Sequence, residues 1–338
     1  MYLRHRKTLL AALLCTAEFI RPCPAQVAPA AVLEIDVQNV VRYYEDTSDP
    51  SKFATIPGVV PAVVTSNFQT YVLIGDIVAI NGQPVRGTVS HTARWTNLTP
   101  TPTPGKAIAD MVRGGLGQWA FEIQNSEGTP IGTLFIAGMH GGARTPGSPL
   151  EVTQGNNAIT GGTGAFFGAR GDFGQAVTAQ TIAVRAASIT EDPANRRNNG
   201  GGTIRWVFHV VPMSAPQIVA TASGPAIVHA NDFSLVAGSK PAAPGEILSA
   251  FATDLGPTIP GVDPGQPFPA SPLQSVSSPV QVTVNGEPAE VLASVGFPGS
   301  VGGYQVNFRV PSDAPKGNAT IYLTTAWIPG SSVSLPVQ

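Results

Sequence analysis

The feature that most constrains this chain is an alternation of apolar and polar residues in short segments. In residues 118–125 (QWAFEIQN), Trp119, Phe121 and Ile123 alternate with polar or small residues. Residues 203–211 (TIRWVFHVV) alternate in the same way. Successive side chains of a β-strand point to opposite faces, whereas an α-helix repeats every 3.6 residues. Because no segment sustains a helical period, the sequence predicts an all-β protein.

Other segments of the first two thirds of the chain share this alternation. Gly, Asn or Pro turns separate them, and several strands joined in this way are typical of a barrel or a sandwich. The further predicted strands are 32–41, 71–80, 85–94, 131–139, 172–180 and 181–189, of which the last two form either one long strand or two.

The amino-acid composition changes near residues 213–216, after which Pro and Ser become more frequent. Residues 257–279 are Pro-rich and are predicted to hold no regular structure. Asn285-Gly286 lies between two alternating runs, and this dipeptide favours a tight hairpin because both turn residues need a positive φ. With 304–311 and 319–327 there are about seven short strands, which predict an Ig-like sandwich over residues 216–338.

The N-terminus has the pattern of an export signal. Four basic or titratable residues from Arg4 to Lys7 precede a ten-residue apolar run, residues 8–17, which Glu18 ends. A membrane-spanning helix needs about 20 apolar residues, so the run predicts a signal cleaved near Ala25 rather than an anchor. We therefore expect residues 1–25 to be a signal peptide. The mature chain would be secreted or lie in the cell envelope, without an integral membrane segment.

Cleavage changes which partners the chain can have. Cys15 and Cys23 both lie in the signal, so the mature chain would contain neither a disulfide nor a cysteine metal site. Four of the 19 basic residues and one of the 21 acidic residues would be removed, which leaves a net charge of −5. An acidic chain without a basic stripe is a poor nucleic-acid binder. No metal or cofactor motif and no G-x-S-x-G elbow is present, so no cofactor is predicted.

A glycine-rich stretch, residues 159–175 (ITGGTGAFFGARGDFGQ), raises the question of phosphate binding. It lacks the G-x-x-x-x-G-K-S/T pattern, and its glycines miss the dinucleotide spacing by one residue. The Arg-Gly-Asp tripeptide at 170–172 is too short to indicate adhesion. Glycines permit the positive φ and the strand curvature that barrel corners need. We predict a strand ending at 159–160, a turn at 161–164, apolar space filled by Phe166 and Phe167, and a new strand from Gly168.

This stretch also resembles a known signature. Residues 159–173 are similar to the GGTGx(F/Y)xxARG pattern of allene oxide cyclase-like and dirigent-like barrels, and residues 122–138 (EIQNSEGTPIGTLFIAG) are similar to the hairpin that precedes it. The resemblance covers about residues 30–213. It implies an eight-stranded antiparallel β-barrel with a central cavity, usually oligomeric, in which the arginine binds a loop carbonyl or carboxylate. The residues at the signature positions are Gly161, Gly162, Thr163, Gly164, Ala169, Arg170 and Gly171.

The C-terminal part resembles a different family. Residues 225–234 (PAIVHANDFS), 244–257, 279–294 and 303–311 are similar to a C-terminal Ig-like module of secreted acidobacterial proteins. The resemblance covers about residues 216–338. It supports an extracytoplasmic location and implies no activity.

The barrel resemblance implies a small apolar or phenolic ligand, and polar residues that face the cavity would steer its chemistry. Glu122 would enter the cavity if Trp119, Phe121 and Ile123 pack outside the barrel; otherwise it is a solvated carboxylate. Tyr71 begins a strand, where its phenol would donate to a bound carbonyl or pack in the core.

Two further groups are candidates because they share a strand face. Arg205 and His209 would bind a ligand carboxylate or act as an acid/base pair, or else form a surface pair. Glu34 and Asp36 would do acid/base work or lie on an exposed edge. The mixed-charge loop at 191–198 would form a clasp, a subunit contact or a solvated hairpin tip. No catalytic residue can be transferred by position from the resembling families.

Two functions are consistent with these observations. The first is a secreted barrel that binds a small apolar or phenolic ligand and guides its cyclisation or coupling. The second is a non-enzymatic envelope or extracellular structural protein, in which the barrel forms homo-oligomers and the Ig-like domain associates with a surface. Whether the protein is an enzyme is left open by the sequence.

Overall fold

The computed structural model describes residues 31–44, 70–97, 113–140, 152–153, 156–177 and 182–338. The predicted export signal lies outside these ranges. The described chain is all-β, as predicted, with two short 3-10 turns at Gly164–Phe166 and Pro193–Arg196. The strands of the first sheet are β1 (Ala31–Tyr44), β2 (Thr70–Ile80), β3 (Gln83–Asn97), β4 (Arg113–Gln124), β5 (Pro130–His140), β6 (Val152–Thr153), β7 (Asn156–Gly162), β8 (Arg170–Ala176), β9 (Arg185–Ser188) and β10 (Gly202–Val211).

Eight of these strands close into an antiparallel barrel. The order is β1, β2, β3, β4, β5, β7, β8 and β10, and β10 pairs with both β8 and β1. The barrel that the sequence predicted is therefore confirmed. The two segments predicted at 172–180 and 181–189 are separate strands, since β8 ends at Ala176 and the short β9 pairs in parallel with β1 outside the barrel circuit.

The alternation in the sequence fills the barrel with aromatic side chains. Trp119, Phe121 and Ile123 are buried inside, and Phe173 and Phe208 pack against Phe121 with ring centroids 5.7 and 4.8 Å apart. Edge-to-face pairs at this distance add to the stabilisation that burial alone supplies. The charged and polar partners of the alternation lie on the outer face.

The glycine-rich stretch forms a corner of the barrel. The strand β7 runs through to Gly162, and the chain turns over Gly164–Phe166 before β8 begins at Arg170. At Gly164 φ is +60°, and a Cβ would stand 2.3 Å from the carbonyl oxygen of Ile131, so a glycine is needed there. Phe166 is buried as predicted, but Phe167 is 69% exposed. The prediction for Phe167 is wrong because the tight turn sends successive side chains in different directions.

The C-terminal sheet curls into a sandwich with its own hydrophobic cluster, which includes Ile227, Leu248, Val306 and Phe308. Its strands run in the order β11, β15, β20, β19, β18, β21 and β22, with β23 also paired to β21. They are β11 (Gln217–Ile218), β12 (Ala220–Thr221), β13 (Gly224–Pro225), β14 (Ile227–His229), β15 (Ile247–Thr253), β16 (Thr258–Ile259), β17 (Ser275–Val276), β18 (Val280–Val284), β19 (Glu287–Gly296), β20 (Gly303–Arg309), β21 (Gly317–Thr325), β22 (Ile328–Pro329) and β23 (Val333–Val337).

Two local predictions for this sheet have different outcomes. Asn285 and Gly286 have φ of 52° and 88° and join β18 to β19, so the predicted hairpin is confirmed. The prediction that 257–279 holds no regular structure is wrong, because β16 and β17 pair with each other inside it. A proline removes only its own backbone N–H donor, so strands of two residues can still pair between prolines.

One contact between the sandwich and the barrel is the tip of a hairpin. Ala326, Trp327 and Ile328, where β21 turns into β22, belong to the same hydrophobic cluster as the barrel interior. The indole Nε1 of Trp327 donates to Oε1 of Gln83 at 3.0 Å. Gln83 begins β3, directly after the short turn from β2, so this contact is at the end of the barrel with short turns.

The mixed-charge loop is a clasp that closes on the barrel wall. Arg185 of β9 forms an ion pair with Glu191 of the loop, at 2.6 Å. Arg196 and Arg197 both bind Asp76, which lies on the outer face of β2, at 2.5 and 2.8 Å. The hairpin tip is therefore held by a carboxylate that is 120 residues away in the sequence.

Candidate functional site

The two ends of the barrel differ in the length of their connections. At one end β2 turns into β3 at residues 81–82, and β4 turns into β5 over 125–129. The strand ends at the other side are joined through residues 45–69, 98–112 and 141–151, and we call this side the mouth. Binding residues tend to lie where long connections meet a rigid scaffold.

At the mouth, five neighbouring strands contribute one inward residue each to a single row, which we call the mouth row. Each residue of the row lies directly opposite the next one on the neighbouring strand, in the order β2, β3, β4, β5 and β7. Three of the five side chains are a methyl group or a hydrogen atom, so the wall has little side-chain volume at this level. The row consists of Tyr71, Ala93, Gly117, Gly138 and Asn157.

The next row toward the barrel centre, the floor row, is apolar and aromatic. The rings of His91 and Trp119 stack in parallel, with centroids 3.8 Å apart and an interplanar angle of 5°. The ring of Tyr71 meets His91 edge-on at 5.3 Å. The row consists of Leu73, His91, Trp119, Ile136 and Ile159, all of them buried.

The opposite wall adds polar groups to the interior. Gln175 of β8 pairs in register with Trp206 of β10. The Trp206 ring stacks on Phe173 with centroids 4.8 Å apart, and its buried Nε1 has no hydrogen-bond partner in the part of the chain that the structure describes. An indole N–H can only donate, so this atom offers a donor to the interior.

Together these rows place aromatic rings and a few convergent polar groups at the mouth end of the barrel interior. Flat aromatic faces bind planar apolar molecules, while amide, phenol and indole groups fix their orientation. His91 is the one imidazole of the two rows, and such a ring can both donate and accept a hydrogen bond. Among the described residues no Asp or Glu lies on the inward face, and no group of three metal-ligating side chains occurs.

Of the side chains predicted as chemical candidates, Tyr71 lies inside the barrel, in the mouth row. Glu122 is exposed on the outer face of β4, since the aromatic set of that strand packs inside. Asp36 and Glu34 lie on the outer face of β1, where both bind Arg205, at 2.6 and 3.0 Å.

His209 also points away from the barrel interior. It is buried, and its Nδ1 lies 2.9 Å from Oδ1 of Asp172, on the neighbouring strand. Arg205 and His209 share a face, as the sequence indicates, yet each is bound to a different carboxylate. The structure therefore does not bring these two together as a pair.

The signature residues shape the corner of the barrel at the end opposite the mouth. Gly161 and Gly162 end β7, while Thr163 and Gly164 open the turn. Ala169 is buried, and Arg170 donates from Nη1 to the carbonyl oxygen of Ala169 at 2.9 Å.

Gly171 lies where the same corner meets β10. It has φ of +137°, and a Cβ there would stand 1.9 Å from the carbonyl oxygen of His209. Its backbone conformation and this close approach both require glycine.

Of the residues in the mouth row, the sequence predicted only Tyr71 as a candidate. Ala93, Gly117 and Gly138 carry no chemistry, and Asn157 lies in β7, whose alternation is too short to notice. His91 was visible as one of several scattered histidines. A signal was available in the inward positions of neighbouring strands, but it can be read only once their register is known.

No family model, curated protein or solved structure matches this chain. Within the described ranges, no helix has the length and apolar character needed to cross a lipid bilayer.

Proposed function

We propose that the barrel binds a small apolar or phenolic ligand at its mouth and holds it in one conformer for cyclisation or coupling, in an extracytoplasmic protein. The observation that carries the proposal is the mouth row, in which Ala93 and Gly117 lie next to the His91–Trp119 stack and Gly138 continues the row beside them. Buried space lined by aromatic rings and a few polar groups is typical of small-molecule sites.

The dimensions of the row fit a ring-sized molecule. Adjacent strands lie about 4.8 Å apart, so the three small residues clear roughly 10 Å along the wall. The indole N–H of Trp206 and the phenol of Tyr71 supply polar contacts from two sides. A barrel of this kind would act mainly by restricting the conformers of a reactive ligand, which lowers the entropic part of a barrier.

Native mass spectrometry of the full chain, purified from the medium of its host without denaturant, tests this proposal. We expect an added mass of a few hundred daltons per protomer that organic extraction removes. An adduct-free protein that also takes up nothing from a panel of phenolic compounds and polyunsaturated fatty acids would contradict it.

Filling the mouth row should weaken ligand binding without unfolding the barrel. We expect Gly117→Leu to weaken uptake of the extracted ligand, or of the best compound in the panel, at least tenfold, about 1.4 kcal/mol. The reason is steric, since the new side chain occupies the space above Trp119. Ala120→Leu adds the same side chain to the outer face of β4 and should leave affinity unchanged. Equal affinities of both variants, measured by calorimetry, would mean that the ligand lies elsewhere.

A second candidate function, a structural protein with an oligomerising barrel, rests on a different observation. The outer face over β4, β5 and β7 exposes Leu116, Phe135 and Met139, with 65%, 42% and 52% of their surface accessible. Leu116 lies opposite Met139 in register, and neither β5 nor β7 contains a charged residue. Contiguous apolar patches of this kind mark interaction sites.

If this face joins protomers, a single charge should separate them. We expect Phe135→Glu to raise the dissociation constant of the oligomer about 100-fold, some 2.7 kcal/mol, because the carboxylate would be desolvated in the interface. Ser90→Glu, on the exposed face of β3, should leave the assembly intact. Sedimentation equilibrium distinguishes the outcomes, and an unchanged mass for Phe135→Glu would exclude this face.

A further inference from the structure

Arg42 is directed into the mouth by an irregularity in β1. The register of β1 against β2 shifts between Gln38 and Val41, where Asn39 adopts a positive φ of 52°. A bulge of this kind reverses which residues of a strand face the interior. After it, Arg42 lies directly opposite Leu73, which belongs to the floor row.

Aromatic groups fix the Arg42 guanidinium in place. Its central carbon lies 4.8 Å from the ring centroid of Tyr71, a cation–π distance, and Nη1 donates to the hydroxyl of Tyr44 at 3.2 Å. The Tyr44 and Tyr71 rings are themselves 5.6 Å apart. The buried Nε of Arg42 has no hydrogen-bond partner in the part of the chain that the structure describes.

The charge of Arg42 is not matched by a described carboxylate. Asp36 of the same strand and Asp76 of the neighbouring β2 lie on the outer face and are bound to other arginines. A partly buried guanidinium is costly without an anion, and its planar fork of donors suits a carboxylate. A single guanidinium matches a monovalent anion, whereas a phosphate dianion would require more positive charge.

We infer that the ligand of the mouth is an aryl carboxylic acid, whose carboxylate binds Arg42 and whose ring lies over the His91–Trp119 stack. The inference rests on the proposed function and specifies the ligand class. Consecutive ring contacts connect the two subsites, from Arg42 to Tyr71 at 4.8 Å and from Tyr71 to His91 at 5.3 Å. Arg42 would act as a specificity-determining residue.

A matched pair of probes tests this inference on the full chain. Calorimetry would compare 4-hydroxycinnamic acid with its neutral amide, which has the same ring and spacer. We expect the acid to bind at least tenfold more tightly than the amide, and salt to weaken the acid alone, since only its binding involves a charge. In Arg42→Met the affinity for the acid should fall to that for the amide, while the affinity for the amide should not change.

Arg94→Met is the matched control, because Arg94 is exposed on the outer face of β3 near the same end. It should leave both affinities unchanged. Arg42→Lys retains the charge without the planar fork, and we expect it to recover part of the preference for the acid. If Arg42→Met fails to fold, the comparison of probes and salt in the wild-type protein decides.

The outcomes separate the inference from the function on which it rests. Equal binding of acid and amide would overturn the carboxylate and leave the ligand site standing. Binding of neither probe, together with a natural ligand that has no carboxylate, would also overturn the inference. Binding of neither probe and no adduct in the native mass spectrum would overturn both, and would mean that the mouth is filled by the chain itself.

Discussion

Replacing Asp76 by Asn is expected to lower the free energy of unfolding by about 3 kcal/mol, because breaking a buried ion pair leaves an uncompensated charge. Asp76 accepts hydrogen bonds from Arg196, Arg197 and Asn39, at 2.5 to 2.9 Å. The side chains of Asp76 and Arg196 are only 14% and 10% exposed. Asn would place an NH2 group against these donors and leave the Arg196 charge without a partner.

Urea unfolding followed by tryptophan fluorescence measures this loss, with an unchanged dependence on urea indicating a change in stability alone. Asp36→Asn is the matched control, because Asp36 also binds an arginine on the barrel exterior, but the two side chains are 29% and 39% exposed. Exposed pairs contribute about 0–1 kcal/mol. Equal losses in the two variants would show that Asp76 is no more than a surface partner.

The same carboxylate makes a pH dependence predictable. Burial alone would raise the pKa of Asp76, but hydrogen bonds from Arg197, Asn39 and Arg196 outweigh it, and the net pKa is lowered. A lowered pKa in the folded state contributes stability that is present above the unfolded value, roughly 3.9, and is lost as the pH falls through the folded value. The stability difference between wild type and Asp76→Asn should therefore be full at pH 7 and narrow below about pH 4.

Asp76 also connects the exterior clasp to the mouth. Its bond to Asn39 holds the bulge of β1, and this bulge turns Arg42 inward. We therefore expect Asp76→Asn to weaken any Arg42-dependent binding as well as the fold. The variant Arg197→Gln, which removes one partner and leaves the carboxylate, would have a smaller effect on both.

Replacing Trp327 by Ala should uncouple the sandwich from the barrel. Replacing a buried tryptophan by alanine lowers the free energy of unfolding by about 3–5 kcal/mol. Here the buried side chain packs one sheet against the other. We expect differential scanning calorimetry to show separate barrel and sandwich transitions where the wild type shows one. Tyr322→Ala, on the exposed face of β21, should preserve the single transition. A single, merely lowered transition in Trp327→Ala would contradict the coupling.

The turn that carries Trp327 supplies a second variant. Ala326 and Trp327 have φ of 47° and 63°, values that cost about 1–2 kcal/mol for each residue with a Cβ. The double substitution Ala326→Asn and Trp327→Gly would suit the turn better. We expect it to raise the sandwich transition above that of Trp327→Ala while the barrel stays uncoupled. That result would mean that the packing of Trp327 against the barrel compensates for the backbone strain of the two positive φ angles.

Local sequence determined much of the architecture. The alternation around Trp119 and Phe121 indicates a strand whatever surrounds it, because the side-chain period of a strand is two. Asn285-Gly286 indicates a hairpin for a similarly local reason, since few other residues tolerate its φ angles. The corner at Gly164 also follows from the backbone freedom of single residues. Its bounds differ from the prediction by about two residues, since β7 runs to Gly162 and β8 begins at Arg170, and Phe167 is exposed.

The candidate site was decided by the tertiary structure. Period-two alternation defines two faces of a strand but not which one is inside, and closure of the barrel placed Glu122 outside and Tyr71 inside. The bulge at Asn39 reversed the parity that would otherwise point Arg42 outward. Asp76 and Arg196 are 120 residues apart, so nothing local pairs them. Each strand contributes a single residue to the mouth row, and that residue has no local sequence signal. Only the register between strands brings these residues together.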